Sequence, residues 1–320
     1  MKNDSLCIFL NLISVENRIQ RRTINHWAYN GGAFRGVMAS NRFHVLRIQC
    51  ERLAQSELFE IERTQAEVIS IAIMKRPSAF VRRNVEWHIG APENIEDGGV
   101  VFQLGRVQSV NAPQFDDVRH AFFEADSETA PFTWGVFDKK TQACGILKKS
   151  GVSLNPSEIA AKLEQLLNAS GVPAESGYTI YVEVIPDPES FVESLFSAHK
   201  VVRFSFTARY ENAFDVSRLI QRPAEEFNEL VGGKETTVEV KGDDLNRQVL
   251  EELTRGVASV GEAASAMVRA EPQSRLKKVF LRGTPLFGEF MWSNEKISPF
   301  EIMLHTLRDT YNRMRRFNGD

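Results

Sequence analysis

The sequence predicts an α/β protein, with α+β as the alternative, on three observations. From Thr133 to Leu281, short apolar runs with strand periodicity alternate with runs of helical spacing. Two helical runs open on capping sequences, Asn155-Pro156-Ser157-Glu158 and Ser298-Pro299-Phe300-Glu301. The 320 residues are 42% hydrophobic and 25% charged, so the chain can bury a core without disulfides or metals as staples. This alternation predicts a mixed sheet with helices packed on it in the C-terminal half. The N-terminal portion reads as less regular, giving an α+β region over 1–130 and an α/β domain over 131–320.

In chain order, Glu67–Met74 reads as a strand, with Val68, Ile69, Ile71 and Ile73, and Val100–Leu104 as another. Between them, Ala91–Gly99 holds Pro92, Gly98, Gly99 and three acids, and reads as a surface loop at a candidate boundary. Trp134–Asp138 and Ala143–Lys148 flank a polar turn and predict a hairpin. Behind the Asn155 cap, Ile159, Leu163, Leu166 and Leu167 recur at helical spacing. Tyr178–Ile185 reads as a strand, Pro188–His199 as a helix, and Val201–Ala208 as a strand. Asp215–Leu230 reads as a helix that Pro223 must kink or split. Thr236–Lys241 is the next strand, Asp244–Ala270 a long helix, and Lys278–Leu281 a strand. A last helix runs from the Ser298 cap through Phe317. The expectation is one sheet from Thr133 to Leu281, holding both Tyr178–Ile185 and Val201–Ala208.

The net charge of −3 argues against a protein that coats nucleic acid with its whole surface. Cys7, Cys50 and Cys144 form no CxxC pair, which disfavours a disulfide framework and a cysteine zinc site and suits a reducing compartment. The apolar run Leu6–Ile13 is too short to span a bilayer. The expectation is a cytoplasmic protein without a membrane partner. HExxH, GxxxxGK[ST] and GxGxxG are absent and the histidines are scattered, so neither a metal nor a cofactor is expected.

Three partial motifs carry chemistry. Asn30-Gly31-Gly32-Ala33-Phe34-Arg35-Gly36 is similar to the oxyanion-hole loop of patatin-like lipases, where glycines let N–H groups approach an oxyanion. That mechanism also needs a serine in GxSxG on a strand-to-helix turn. The nearest string, Ala258-Ser259-Val260-Gly261, lacks the first glycine and lies in a helical run, so Ser259 is not expected to be a nucleophile. Arg-x4-His occurs as Arg21…His26 and Arg83…His88. In HEPN nucleases this spacing sets a general acid or base beside an arginine that steadies a phosphate. Finally, Glu239-Val240-Lys241 with Asp187 upstream matches the carboxylates and lysine of metal-dependent DNA-cleaving enzymes. A half-exposed strand has the same alternation, and an isolated Arg-x4-His arises readily by chance.

Charge is distributed unevenly. Between Met1 and Cys50, Arg18, Arg21, Arg22, Arg35, Arg42 and Arg47 are interleaved with Trp27, Tyr29, Phe34 and Phe43, while the acids there are Asp4 and Glu16. Guanidinium forks suit phosphates and aromatic rings stack on unpaired bases, so these arginines are the candidate contacts to DNA or RNA. Solvation, or pairing with the acidic Glu93–Glu128 region in the same or a neighbouring copy, is the alternative use.

The stretch Ala143–Arg209 also carries a resemblance. Its runs Ala143-Cys144-Gly145-Ile146-Leu147, Leu154-Asn155-Pro156-Ser157-Glu158-Ile159, Val182-Glu183-Val184-Ile185-Pro186-Asp187 and Val202-Arg203-Phe204-Ser205-Phe206 resemble an uncharacterised bacterial family. That family occurs in mobile genomic islands and anti-phage gene neighbourhoods. The resemblance implies a bacterial setting and carries over no functional residue. Together these readings lead to a binding or sensing component of an anti-phage defence or toxin–antitoxin system. Its expected partners are nucleic acid, a neighbouring gene product or a second copy of itself. The alternative is a metal-dependent or HEPN-like nuclease using Arg21 and His26, or Asp187, Glu239 and Lys241.

Overall fold

A computed structural model describes residues 40–53, 63–82, 85–153, 155–208, 223, 226–227, 230–233, 235–281, 283–292 and 297–315. Its N-terminal elements are β1 (Ser40–Arg52), α1 (Gln65–Met74), β2 (Ser78–Arg82), β3 (Val85–Ile95), a 3-10 turn (Glu96–Gly98), β4 (Gly99–Asp116) and β5 (Ala121–Thr129). There follow β6 (Phe132–Asp138), β7 (Ala143–Leu147), α2 (Pro156–Ala169), α3 (Val172–Glu175), β8 (Tyr178–Val184), α4 (Glu189–Ser197) and β9 (Lys200–Ala208). The rest are β10 (Thr236–Lys241), α5 (Arg247–Ser259), β11 (Ala264–Arg269), β12 (Lys277–Phe280), β13 (Phe287–Met291) and α6 (Pro299–Arg315).

The strands form two sheets. Nine are ordered β13-β1-β7-β6-β4-β3-β2, with β5 added to β4 and β8 to β1, and four are ordered β10-β9-β11-β12. Every pairing is antiparallel. The mixed helix-and-strand class therefore stands, in its α+β form. The single-sheet expectation does not. β8 pairs with Leu46–Arg52 of β1, whereas β9 pairs with β10 and β11. The neighbour of β8 is a strand from far upstream that the sequence reading had not marked. Strand β4, which precedes residue 130, pairs with β6, which follows it.

Three local expectations are corrected. Glu67–Met74 is helix, not strand. Thr64 caps it through a reciprocal box, its side chain accepting from the Glu67 N–H while the Glu67 carboxylate accepts from the Thr64 N–H. A short apolar run buried on several sides reads alike in either state. Ala91–Gly99 is not a boundary loop, since β3 runs through Ile95 and returns as β4 after the turn. Asp244–Ala270 is not one helix. α5 gives way at Gly261, whose φ of +76° favours glycine, and β11 follows.

The large sheet is covered on both sides, and β1 is buried from Phe43 to Cys50. On one face Leu46 and Ile48 join Val68 and Ile69 of α1 and Leu163 and Leu166 of α2. On the other, Phe43 and Val45 join Met303, Leu304 and Leu307 of α6 and Phe204 and Phe206 of β9. The Phe43 ring lies directly over Gly288, where an added Cβ would sit 1.9 Å from Phe43 Cζ. Arg308 fastens α6 to the sheet. Its Nε and Nη2 donate to Asp138 at 3.2 and 2.7 Å, and its Nη1 donates to the Asp97 carboxylate. No helix among the described residues is long and apolar enough to cross a membrane.

Candidate nucleic-acid interface

The two faces of the four-stranded sheet differ in chemistry. Alternation along β9 turns Phe204 and Phe206 into the core and Arg203, Ser205 and Thr207 outward. The register then lines up outward residues across strands. Lys241 on β10 lies opposite Arg203 on β9, Arg203 opposite Met267 on β11, and Met267 opposite Lys278 on β12. The adjacent row is Glu239, Ser205, Ser265 and Phe280. Arg203, Lys241 and Lys278 are exposed, and the Phe280 ring is 49% exposed with the Lys278 ammonium 4.9 Å from its centre.

Glu239 is the one carboxylate in these two rows. Lys241 bonds it at 2.9 Å and Arg203 Nη1 approaches to 3.7 Å. Its carboxyl is held below the usual range first by the Lys241 hydrogen bond and then by the charges of Arg203, Lys241 and Lys278. One negative charge among three positive ones leaves the surface basic.

Other sequence-predicted residues sit elsewhere. Asp187 follows β8, and its Oδ1 accepts the Glu189 N–H at the start of α4. Lys241 is engaged by Glu239, and among the described residues no group of three or more His, Cys, Asp or Glu side chains could hold a metal ion. Arg42 pairs with Glu289 of the neighbouring β13 at 3.0 Å. Arg47 is only 1% exposed and donates to the Thr141 carbonyl and, at 3.0 Å, to the Tyr311 hydroxyl. Arg18, Arg21, Arg22, His26, Arg35 and Arg83 lie outside the described residues, and His88 is on β3, 3.6 Å from Glu86. Ser259 is fully buried at the end of α5, its hydroxyl donating to the Gly256 carbonyl at 2.7 Å.

Comparison with family models and with curated proteins finds no match for this chain. The site must therefore be read from its own chemistry. Arg203, Lys278 and Phe280 escaped the sequence reading because each is ordinary alone. Alternation in Val202–Phe206 marks Arg203 as outward-facing, but only the register brings Lys241 and Lys278 onto the same row.

Proposed function

We propose that this chain is a nucleic-acid-binding protein that receives a single strand on the outer face of the β10-β9-β11-β12 sheet. The setting proposed for it, a bacterial anti-phage defence or toxin–antitoxin system, rests on the resemblance of Ala143–Arg209. The observation that carries the binding reading is the row Lys241–Arg203–Met267–Lys278 with Phe280 beside it. Neighbouring strands are roughly 4.8 Å apart, so the cations span roughly 14 Å, several nucleotides of backbone. Ammonium and guanidinium groups neutralise phosphates, and a half-exposed ring offers a stacking platform. An open four-stranded sheet is one of the surfaces on which single-stranded RNA is read.

Fluorescence anisotropy with labelled single-stranded RNA and DNA across a salt series tests this. Three phosphate contacts give a slope of roughly −2 in log K against log salt, or about a 16-fold loss of affinity for a fourfold rise in salt. Alanine at Arg203, Lys241 and Lys278 together is expected to remove that slope. Binding with an unchanged slope in this triple variant would refute the assignment. Loss of the slope in an Arg18, Arg21 and Arg22 triple alanine variant instead would return the contact to the N-terminal arginines.

A further inference from the structure

β4 and β5 continue beyond the large sheet as a two-stranded arm. β3 accompanies β4 only as far as Gln108, and from Ser109 to Asp116 the described partner is β5 alone. Residues directly opposite in an antiparallel pair share a face. One face of the arm carries Ser109 with Glu128, Asn111 with Asp126, Pro113 with Glu124, and Phe115 with Phe122 at the tip. It is thus an acidic stripe ending in two phenylalanines whose ring centres are 5.0 Å apart. Phe122 is 82% exposed and Val118, in the turn, is 90% exposed. An isolated two-stranded ribbon is marginal in water, and exposed aromatic rings at its end favour a partner surface.

We infer that this face docks on the basic outer face of the four-stranded sheet of a second copy of the chain. Charge and spacing carry the choice of occupant. Glu124, Asp126 and Glu128 alternate along β5, so their carboxylates are roughly 7 Å apart and span roughly 14 Å. Lys241, Arg203 and Lys278 lie across the strands of the other sheet and span the same roughly 14 Å. An arm laid across the strands with Glu124 towards Lys278 sets its outer carboxylates against Lys241 and Lys278, and carries Phe115 and Phe122 to the β12 edge, where the Phe280 ring is exposed. The contact joins two different patches, so it closes into a dimer by reciprocal exchange or grows head to tail. The arm would then occupy the cations proposed above for phosphates, making self-association and nucleic-acid binding competitive. The competition rests on the nucleic-acid reading, whereas the contact between copies does not.

Sedimentation velocity on the full chain tests the contact without nucleic acid. Wild type is expected to associate at low salt and dissociate at high salt. Glu124→Lys, Asp126→Lys and Glu128→Lys together, or Arg203→Glu, Lys241→Glu and Lys278→Glu together, should weaken association by roughly 100-fold or more, because like charges then meet. All six side chains are exposed, and circular dichroism checks that both variants fold. Mixing the two reversed proteins should restore a mixed complex. A monomeric wild type, undiminished association in either variant, or two monomeric variants that fail to combine would each overturn the proposal. Association without any RNA or DNA binding would sustain this contact and sink the proposed function. Dissolution of the wild-type oligomer by single-stranded RNA would support both.

Discussion

Replacing Arg308 by Met keeps the aliphatic stem and removes the guanidinium that ties α6 to the sheet. Asp138 is completely buried and would lose two charge-assisted hydrogen bonds, at 3.2 and 2.7 Å. It would keep those from the Lys140 N–H at 3.2 Å, the Thr141 N–H at 3.3 Å and the Thr141 hydroxyl at 2.6 Å. Breaking a buried ion pair by removing one partner costs about 3–5 kcal/mol. The retained bonds, and a side chain of Arg308 that is 15% exposed, place the expected loss near the lower end, about 3 kcal/mol. Asp138→Asn removes the buried charge in the same volume and should cost less, about 1–2 kcal/mol. The double variant should be more stable than the sum of the two losses implies, because the second change removes a charge that the first has orphaned. Urea denaturation followed by far-ultraviolet circular dichroism measures all three. An Arg308→Met loss within about 0.5 kcal/mol, the size of an ordinary surface change, would refute the reasoning. So would strict additivity of the pair.

Three further outcomes are expected. His44 is buried on β1 with neither ring nitrogen hydrogen-bonded among the described residues, and burial, aided by the Lys148 charge, pushes its pKa down to about 4. The folded state therefore favours the neutral ring. Its contribution is intact above the unfolded value of about 6.5 and declines as pH falls from there towards 4, by about 2 kcal/mol at pH 5; His44→Leu should flatten urea midpoints across that window, and an unchanged profile would count against it. Gly288→Ala should destabilise by about 1–3 kcal/mol, because the new methyl meets the Phe43 ring, with partial rescue by Phe43→Leu in thermal melts. Burial pushes the Cys50 thiol up to about 12 and raises Cys144 further, so neither should react with a thiol reagent in the native protein, and both should react in urea.

Much of the local structure was legible in the sequence. Asn155 caps α2 through the Ser157 N–H, and Pro156 occupies the first turn, as their residue types dictate. Alternation identified β9 and β10 because half-buried strands separate apolar from polar side chains every second residue, while β6 and β7, buried along nearly their whole length, were legible as short apolar runs on either side of a polar turn. Glu67–Met74 failed the same test, since apolar residues buried on several sides carry no usable period. Register, too, was decided elsewhere. Nothing within Tyr178–Val184 names β1 as its partner, and nothing in Lys241 anticipates Arg203 and Lys278 in line with it.

The sequence by itself determined the class, the strands β6 to β10, the helices α2 and α4, the Asn155 cap, and the inward and outward faces of β9. The tertiary structure alone decided that two sheets form rather than one, that Arg47 is buried against Tyr311, that Glu239 is bound by neighbouring cations, and that an acidic arm stands clear of the fold. The division has a physical basis. Capping and periodicity act over a few residues, and their energies are set by those residues. A sheet neighbour is chosen by hydrogen-bond satisfaction and apolar burial summed over segments as far apart as Arg47 and Glu183, and that sum exists only once the chain has closed.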